Sequence, residues 1–381
     1  MKPIRLALNA WSLMSTHTGI AAYTRNLAMA LLERNDVEPL FFYGFSWSPE
    51  LRAGSVPGID PLKAAVKRLI PRPYALMRFM QQRCFDGGVR RYGFELYHEP
   101  SFLPFRFAGP AVITIHDLSP LRYPETHPKQ RVQTVREQLP RAVERAAAII
   151  VDSEAVRREV IETFGVSPER VNTIHLGVSA EYRPRTAHEA GQCLARYRLG
   201  YGRYVLAVGT LEPRKNLVAA LDAYVALPEA LRKSTPLVIA GMRGWLSAAL
   251  ENRIRIHEER GEVRWLGYVP AEDLPLLYSG ASLLVYPSLY EGFGLPVLEA
   301  MASGIPVVTS NQSSLPEVAG DVGLTVDPED VRELGACMRF LIEDKQEAAR
   351  RGALGVERAR QFTWQACAEK TLAVYKKAIR K

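Results

Sequence analysis

The sequence predicts an α/β protein of two doubly wound, parallel-sheet domains facing a central cleft. Three observations carry that expectation. The chain has 381 residues, enough for two ordinary domains. Short apolar, β-rich runs alternate with amphipathic segments, the signature of βαβ units. The pattern lapses after residue 180 and restarts at Arg203, so there are two independent sets of strands.

In the first half the expected strands are Ile4–Ala10, Leu40–Tyr43, Leu96–His98, Ala111–His116 and Ala148–Asp152. In the second they are Tyr204–Val208, Pro236–Ala240, Val263–Leu266, Ser282–Tyr286 and Pro306–Thr309. Ser179 to Leu199 is polar, charged and interrupted by Pro184, with only weak helical periodicity in its second part. The expected organisation is therefore a domain over 1–180, a linker over 181–202, a second domain over 203–362 and a C-terminal helix over 363–381. Lys376, Lys377, Arg380 and Lys381 near the end of that helix complement its macrodipole.

Composition narrows the class. With 47% hydrophobic residues and Gly and Pro spread along the chain, both domains can bury a core. Cys84, Cys193, Cys337 and Cys367 lie far apart, which argues against a disulfide framework or a structural zinc site. Met1-Lys2-Pro3-Ile4 runs straight into a short strand and lacks the pattern of a secretory signal. No apolar run approaches the roughly 20 residues of a membrane span. The expectation is a cytoplasmic protein, peripheral on the inner face of the membrane. Of the net charge of +8, residues 1–180 hold 23 Lys/Arg against 17 Asp/Glu. The excess concentrates in Lys63–Arg91, with eight basic residues and the single acid Asp86, interleaved with Tyr74, Leu76, Phe79 and Met80. Such a surface suits an anionic membrane or an anionic lipid-linked substrate. The alternative is a solvated helix face whose apolar residues point into the core.

In doubly wound sheets ligands bind beyond the carboxyl ends of the strands. The segment after Tyr286 is therefore the one to read: Pro287-Ser288-Leu289-Tyr290-Glu291-Gly292-Phe293-Gly294-Leu295-Pro296-Val297-Leu298-Glu299. A strand enters a loop holding Glu291, Gly292 and Gly294, and a helix of about ten residues starts near Leu295, with Pro296 in its first turn. The glycines let backbone approach a ligand, and the N–H groups of the helix start form an anion site suited to phosphate. Glu291 can accept hydrogen bonds from sugar hydroxyls. Glu299, a turn into the helix, can bind vicinal hydroxyls of a ribose.

This run resembles the E-x7-E signature of the retaining glycosyltransferase family 4, which has the GT-B fold. Glu291 and Glu299 occupy its two positions. Ala302-Ser303-Gly304-Ile305-Pro306-Val307-Val308, Ser314-Leu315-Pro316-Glu317-Val318, Gly209-Thr210-Leu211-Glu212-Pro213-Arg214-Lys215-Asn216-Leu217 and Leu266-Gly267-Tyr268-Val269 also resemble the family. The likeness covers the second domain. In the first it is thinner: Thr18-Gly19-Ile20-Ala21-Ala22-Tyr23, Ile115-His116-Asp117-Leu118 and Asp152-Ser153-Glu154.

Several roles follow from the resemblance. Arg214 and Lys215, beyond Gly209, are the diphosphate clamp, where two cations neutralise the charge of a leaving group. Gly19 opens a helix over Ile20–Glu33 and brings backbone N–H groups to the same diphosphate. His116 hydrogen-bonds the donor sugar, and Asp117 either orients its ring or faces the acceptor. Gly267, Tyr268 and Val269 belong to the loop whose backbone reads the nucleotide base. Phe293 and Leu295 complete the donor loop, and His17, Glu99 and Tyr123 are acceptor-side candidates.

The family retains anomeric configuration. Double displacement wants two carboxyl groups about 5 Å apart, and no residue stands out as the nucleophile. The expected mechanism is a front-face reaction in which the departing diphosphate helps deprotonate the acceptor hydroxyl. No Asp-x-Asp occurs in the chain, so catalysis without an added metal is expected. Gly241-Met242-Arg243-Gly244-Trp245, and His98-Glu99-Pro100 with Phe102-Leu103-Pro104, look like bacterial mannosyltransferases of polysaccharide assembly. The favoured donor is GDP-mannose or GDP-rhamnose, with a UDP-hexose as the alternative, and the expected acceptor is a lipid-linked oligosaccharide. Rival classes fit less well. A dehydrogenase wants G-x-G-x-x-G after the first strand, and a nucleophile-elbow hydrolase wants G-x-S-x-G; neither is present. A non-catalytic nucleotide-sugar-binding module would keep the donor residues and lose only the chemistry.

Overall fold

The computed structural model describes residues 2–14, 19–52 and 73–380. His17 and the basic residues Lys63, Lys67, Arg68 and Arg72 lie outside the described residues.

Among the described residues thirteen strands form two sheets. The first contains β1 (Ile4–Asn9), β2 (Val37–Phe42), β3 (Trp47–Ser48), β4 (Leu96–Glu99), β5 (Ala111–Ile115), β6 (Ala148–Val151) and β7 (Val171–Thr173). Its order is β3-β2-β1-β4-β5-β6-β7, parallel except for β3. The second contains β8 (Val205–Val208), β9 (Leu237–Ala240), β10 (Val263–Gly267), β11 (Leu283–Tyr286), β12 (Val307–Ser310) and β13 (Leu324–Val326), ordered β10-β9-β8-β11-β12-β13 and all parallel. Helices cover both faces, so the central strands are buried on both sides; β4, β6, β9, β11 and β12 are buried throughout. These are two Rossmann-like layers with GT-B architecture.

Strand order reverses between β1 and β4 in one sheet and between β8 and β11 in the other. At such a switch point the crossovers leave in opposite directions and open a crevice beyond the carboxyl ends. Beyond β8 and β11, which flank the second switch point, lie Gly209–Lys215 and Pro287–Gly294; His116 follows β5, the strand next to β4 at the first.

The first α-helix among the described residues is Gly19–Leu32, and the helix after β11 is Leu295–Ala302, eight residues long. Residues 181–202 contain a helix, Ala187–Arg196, opened by a capping box between Thr186 and Glu189. It buries Cys193 and Leu194 and packs on the Leu274–Gly280 helix of the second layer.

The final helix, Trp364–Ile379, is capped by Thr363, whose hydroxyl accepts from the Ala366 amide at 3.1 Å. It returns to the first layer, against the Gly19–Leu32 helix and across β5 and β6. Its late basic residues have specific partners there: Lys376 meets Asp36 at 2.9 Å and Lys377 donates to the Glu169 carbonyl at 3.3 Å.

The Pro73–Tyr92 helix carries the described part of the basic region. Gln81 and Phe85 face inward, but Leu76, Phe79 and Met80 are 43%, 63% and 44% exposed, so those apolar residues do not point into the core. Arg83, Arg90 and Arg91 are exposed beside them. Arg78 belongs to the fold instead: its guanidinium lies 3.6 Å over the Phe105 ring and donates to the Leu103 carbonyl at 2.5 Å. Among the described residues no helix is long and apolar enough to cross a membrane.

Candidate active site

The carboxyl end of the second sheet holds a compact ion cluster. After β8, a short 3-10 turn, Pro213–Lys215, aims two cations at the loop beyond β11. Arg214 Nη1 donates to Glu291 Oε2 at 2.9 Å and to the Tyr290 carbonyl at 2.7 Å, while Nη2 donates to Glu212 Oε1 at 2.7 Å. Lys215 Nζ donates to Glu291 Oε1 and to the Tyr286 hydroxyl, both at 2.7 Å. Burial works against every charge here, and mutual attraction answers it. Glu291 is held down to about 2 because Arg214 and Lys215 outweigh its desolvation. Arg214 is raised by Glu291, Asp117 and Glu212 despite burial, whereas burial leaves Lys215 below the usual lysine range. Two cations face two carboxylates, so the cluster is close to neutral. Arg214 Nε remains buried without a hydrogen-bond partner.

Gly294 lies in the left-handed region at φ +109° and caps the Leu295–Ala302 helix with no side-chain acceptor for its first amides. That helix start can take an anion beside the two cations. The need for glycine at 292 has a different source from ligand approach. A Cβ there would lie 1.8 Å from the His116 carbonyl oxygen, so the Glu291–Gly294 turn rests directly on the backbone of the opposite domain. Ser153 Oγ reinforces the contact by donating to the Gly292 carbonyl at 2.8 Å. Phe293 is buried near His175 and Phe362. Glu299 sits one turn on with Tyr278 and Tyr182 against its carboxyl; desolvation pushes it up to about 7, only partly offset by those hydroxyls.

The first sheet ends in histidines. His116 Nδ1 lies 2.6 Å from Asp152 Oδ2 and Nε2 lies 3.0 Å from the Pro100 carbonyl. A carbonyl only accepts, so Nε2 carries a proton, and the second proton is shared with Asp152. Burial opposes the charge, but Asp152 wins and raises His116 above the ordinary imidazole range. The Tyr23 ring packs edge-on against it at 4.7 Å. Asp117 Oδ1 accepts from the Ser119 amide at 2.9 Å and from its hydroxyl at 2.7 Å. Although burial raises it, Arg214 across the cleft and Ser119 bring Asp117 below the usual range.

The remaining sequence-chosen residues are dispersed. Gly19 starts its helix exposed, with open space around a notional Cβ. Gly209 lies beside the Lys215 side chain. Gly267 ends β10, its carbonyl accepting from the Gly241 amide at 2.9 Å, and Tyr268 is 52% exposed, with Val269 following. Tyr123 packs against the Tyr290 ring at 5.4 Å. Glu99 does not face the cleft: it is 2% exposed, and Asn9, Tyr97 and Ser101 all donate to its carboxylate, at 2.7, 2.5 and 2.8 Å. It ties β1 to β4. Sequence reasoning overlooked Glu212, Tyr286, Tyr290 and Asp152 as partners in the site. Asp152 was visible as an acid ending a strand, the same signal that singled out His116.

Polar contacts close the cleft floor. Tyr290 donates to Glu159 at 2.5 Å and accepts from the Leu118 amide at 3.1 Å. Glu317 accepts from the Glu154 amide at 3.1 and 3.0 Å, capping a first-domain helix from the second domain, and meets His175 at 2.6 Å. Among the described residues no three His, Cys, Asp or Glu side chains gather as a metal site.

Two facing Rossmann-like layers, with two cations and a helix start at their junction, suit the diphosphate of a nucleotide-sugar, and glycosyltransferases are the class of enzyme that uses one. Comparison with known proteins gives the particular family. The profile described as Glycosyltransferase Family 4 matches residues 17–182, and that described as Glycosyl transferases group 1 matches residues 200–357. The chain is similar to the O-antigen chain mannosyltransferase B of Escherichia coli, with 38% identity over 366 residues, 94% of this chain and 96% of the relative. The chain therefore belongs to glycosyltransferase family 4. Among solved structures, sucrose-phosphate synthase from Thermosynechococcus elongatus superimposes with a TM-score of 0.76 at 22% identity, covering 98% of each chain. Anabaena HepE in complex with UDP and glucose gives 0.72 at 18% identity, covering 99% of each. Both share the fold.

Proposed function

We propose that this protein is a retaining mannosyltransferase, or a transferase of the related 6-deoxymannose (rhamnose), that moves the hexose from a GDP-sugar to a lipid-linked oligosaccharide in bacterial O-antigen-type polysaccharide synthesis. The observation that carries the reading is the Arg214–Lys215–Glu291 cluster set against the backbone of His116, in a chain 38% identical to an O-antigen mannosyltransferase. Each element has a task. Arg214, Lys215 and the helix start after Gly294 take the diphosphate, with the helix start at Gly19 opposite. Gly209 gives the phosphates room. Gly267, Tyr268 and Val269 line the base, and Glu299 holds the ribose. Glu291, Gly292, Phe293 and Leu295 form the sugar loop, and His116 lies beside the donor sugar with both ring nitrogens already held, by Asp152 and by the Pro100 carbonyl. Asp117 and Tyr123 face the acceptor.

In the reaction the bond from the anomeric carbon to the diphosphate oxygen breaks, and one from the same face to the acceptor oxygen forms. The acceptor proton passes to the departing diphosphate, whose charge the two cations stabilise. With that charge supplied by Arg214 and Lys215, turnover needs no added divalent metal and persists in excess chelator. The exposed Leu76, Phe79 and Met80, flanked by Arg83, Arg90 and Arg91, support peripheral contact with an anionic membrane carrying the acceptor. We place the domain division at 1–180 and 203–362, joined by 181–202.

Calorimetric titration with GDP and with UDP, each with and without chelator, tests the reading. Tight GDP and weak UDP binding, unaffected by chelator, is the expected result. The reverse preference moves the donor to a UDP-hexose, and binding of neither removes the assignment.

A further inference from the structure

Beside the ion cluster lies a histidine that the reaction scheme does not use. His127 follows the 3-10 turn Pro124–Thr126 and is 5% exposed. Its Nε2 is 2.9 Å from Ser119 Oγ. Ser119 Oγ already donates its only proton to Asp117 at 2.7 Å, so Nε2 must be the donor in the contact with His127. Burial, with Arg131 and Arg214 nearby, pushes the ring down to about 4, so near neutral pH it carries just that one proton. Nδ1 is then a bare acceptor. It is buried, and no protein group bonds to it. Histidine cannot satisfy such a nitrogen from within; it needs a donor from outside.

The surroundings of that nitrogen come from both domains. The Trp245 indole, from the loop after β9, lies 5.8 Å from the His127 ring and donates to the Thr126 carbonyl at 2.5 Å. Gly241 and Gly244 make that loop possible: a Cβ at either would lie 1.8 Å from the Gly209 carbonyl oxygen or 2.3 Å from that of Leu211. The site is thus completed only when the domains meet. Arg214 acts electrostatically on both Asp117 and His127, which sets His127 at the border of the diphosphate cluster, on the first-domain side. We infer that His127 and Trp245 form a carbohydrate subsite for the acceptor, in which His127 Nδ1 accepts a hydrogen bond from a sugar hydroxyl and the indole bounds the sugar from the opposite domain. This rests on the transferase reading above.

The test uses the geometry of histidine mimics. The amide oxygen of His127→Asn takes the place of Nδ1 as an acceptor; His127→Gln keeps the donor toward Ser119 and loses that acceptor. Affinity for octyl α-mannoside is measured calorimetrically with GDP bound. The expected result is a weakening of about tenfold for the Gln variant and within about threefold for the Asn variant, with GDP affinity unchanged in both. Equal losses in the two variants, no loss in either, absence of octyl mannoside binding by the wild type, or a fall in GDP affinity each overturn the subsite. Wild-type protein that binds UDP but not GDP overturns the donor reading alone, and the Asn–Gln contrast is then read with UDP bound.

Discussion

The carboxyl ends of the two sheets solve the same problem, holding charge in a closing cleft, by different means. In the second domain opposite charges touch: Arg214, Lys215, Glu212 and Glu291 satisfy one another within two adjacent loops. In the first, a single histidine holds charge, and its partners come from distant elements: His116 on Asp152 and Pro100. Two buried histidines there even diverge. His98, between the Tyr375 hydroxyl at 2.6 Å and the Thr114 hydroxyl at 2.9 Å, is driven by burial down to about 3, while His116 is raised by its carboxylate. One domain gathers its charge in a single cluster, and the other sets each imidazole among partners of its own.

The sharpest break is at the ion cluster. Arg214→Ala with Lys215→Ala removes the charge opposing the departing diphosphate and should lower turnover by about a thousandfold or more, measured as GDP release in the presence of acceptor. Near-normal turnover would sink the front-face scheme. A smaller effect is expected from Asp152→Asn, which leaves a buried imidazole with no reason to stay charged. The expected loss in kcat is on the order of tenfold to a hundredfold. Linkage gives a second readout. His116 has a raised folded pKa, so its contribution to stability is full below the ordinary imidazole value near 6.5. It fades as pH rises through the higher folded value. Urea unfolding of the Asp152→Asn variant should lack that alkaline decline, and an unchanged profile would show that Asp152 does not hold the proton in place.

The smallest effect sharpens the comparison inside the second domain. Glu291 sits at about 2 and Glu299, eight residues on, at about 7, because only the first has cations to answer its burial. A carboxyl raised in this way contributes stability below its unfolded value of 4.5 and loses it as pH climbs to about 7. Glu299→Gln should therefore stabilise the protein at pH 8 by up to about 3 kcal/mol and do little at pH 4.5. Equal effects at both pH values would mean that Glu299 is already charged in the fold.

Ten of the strands were legible because each is an apolar run bounded by punctuating residues. Three were not: β3 has two residues, and β7 and β13 have three each, and they lie at or near sheet edges. Stretches so short carry no pattern, and pairing with a neighbour creates them. The donor loop was legible for the opposite reason, since Glu291, Gly292 and Gly294 act through local backbone. Glu99 looked like a cleft residue because it ends a strand, yet Asn9 and Tyr97 draw it inward. His127 went unremarked, because its meaning depends on Ser119 and on Trp245 from the other domain.

The return of the last helix sets a timetable. Tyr375, which satisfies the buried His98, lies some two hundred residues beyond Thr173, where the first sheet ends. At about 5–20 residues per second, a nascent first domain would wait roughly 10 to 40 s for that hydroxyl after its final strand is made. Until then a polar nitrogen at its centre has no mate, and the groove meant for the helix stands open to whatever else is in reach. The second domain waits less after its own final strand, since the Lys345–Ala359 helix that packs on Leu295–Ala302 follows soon after Val326.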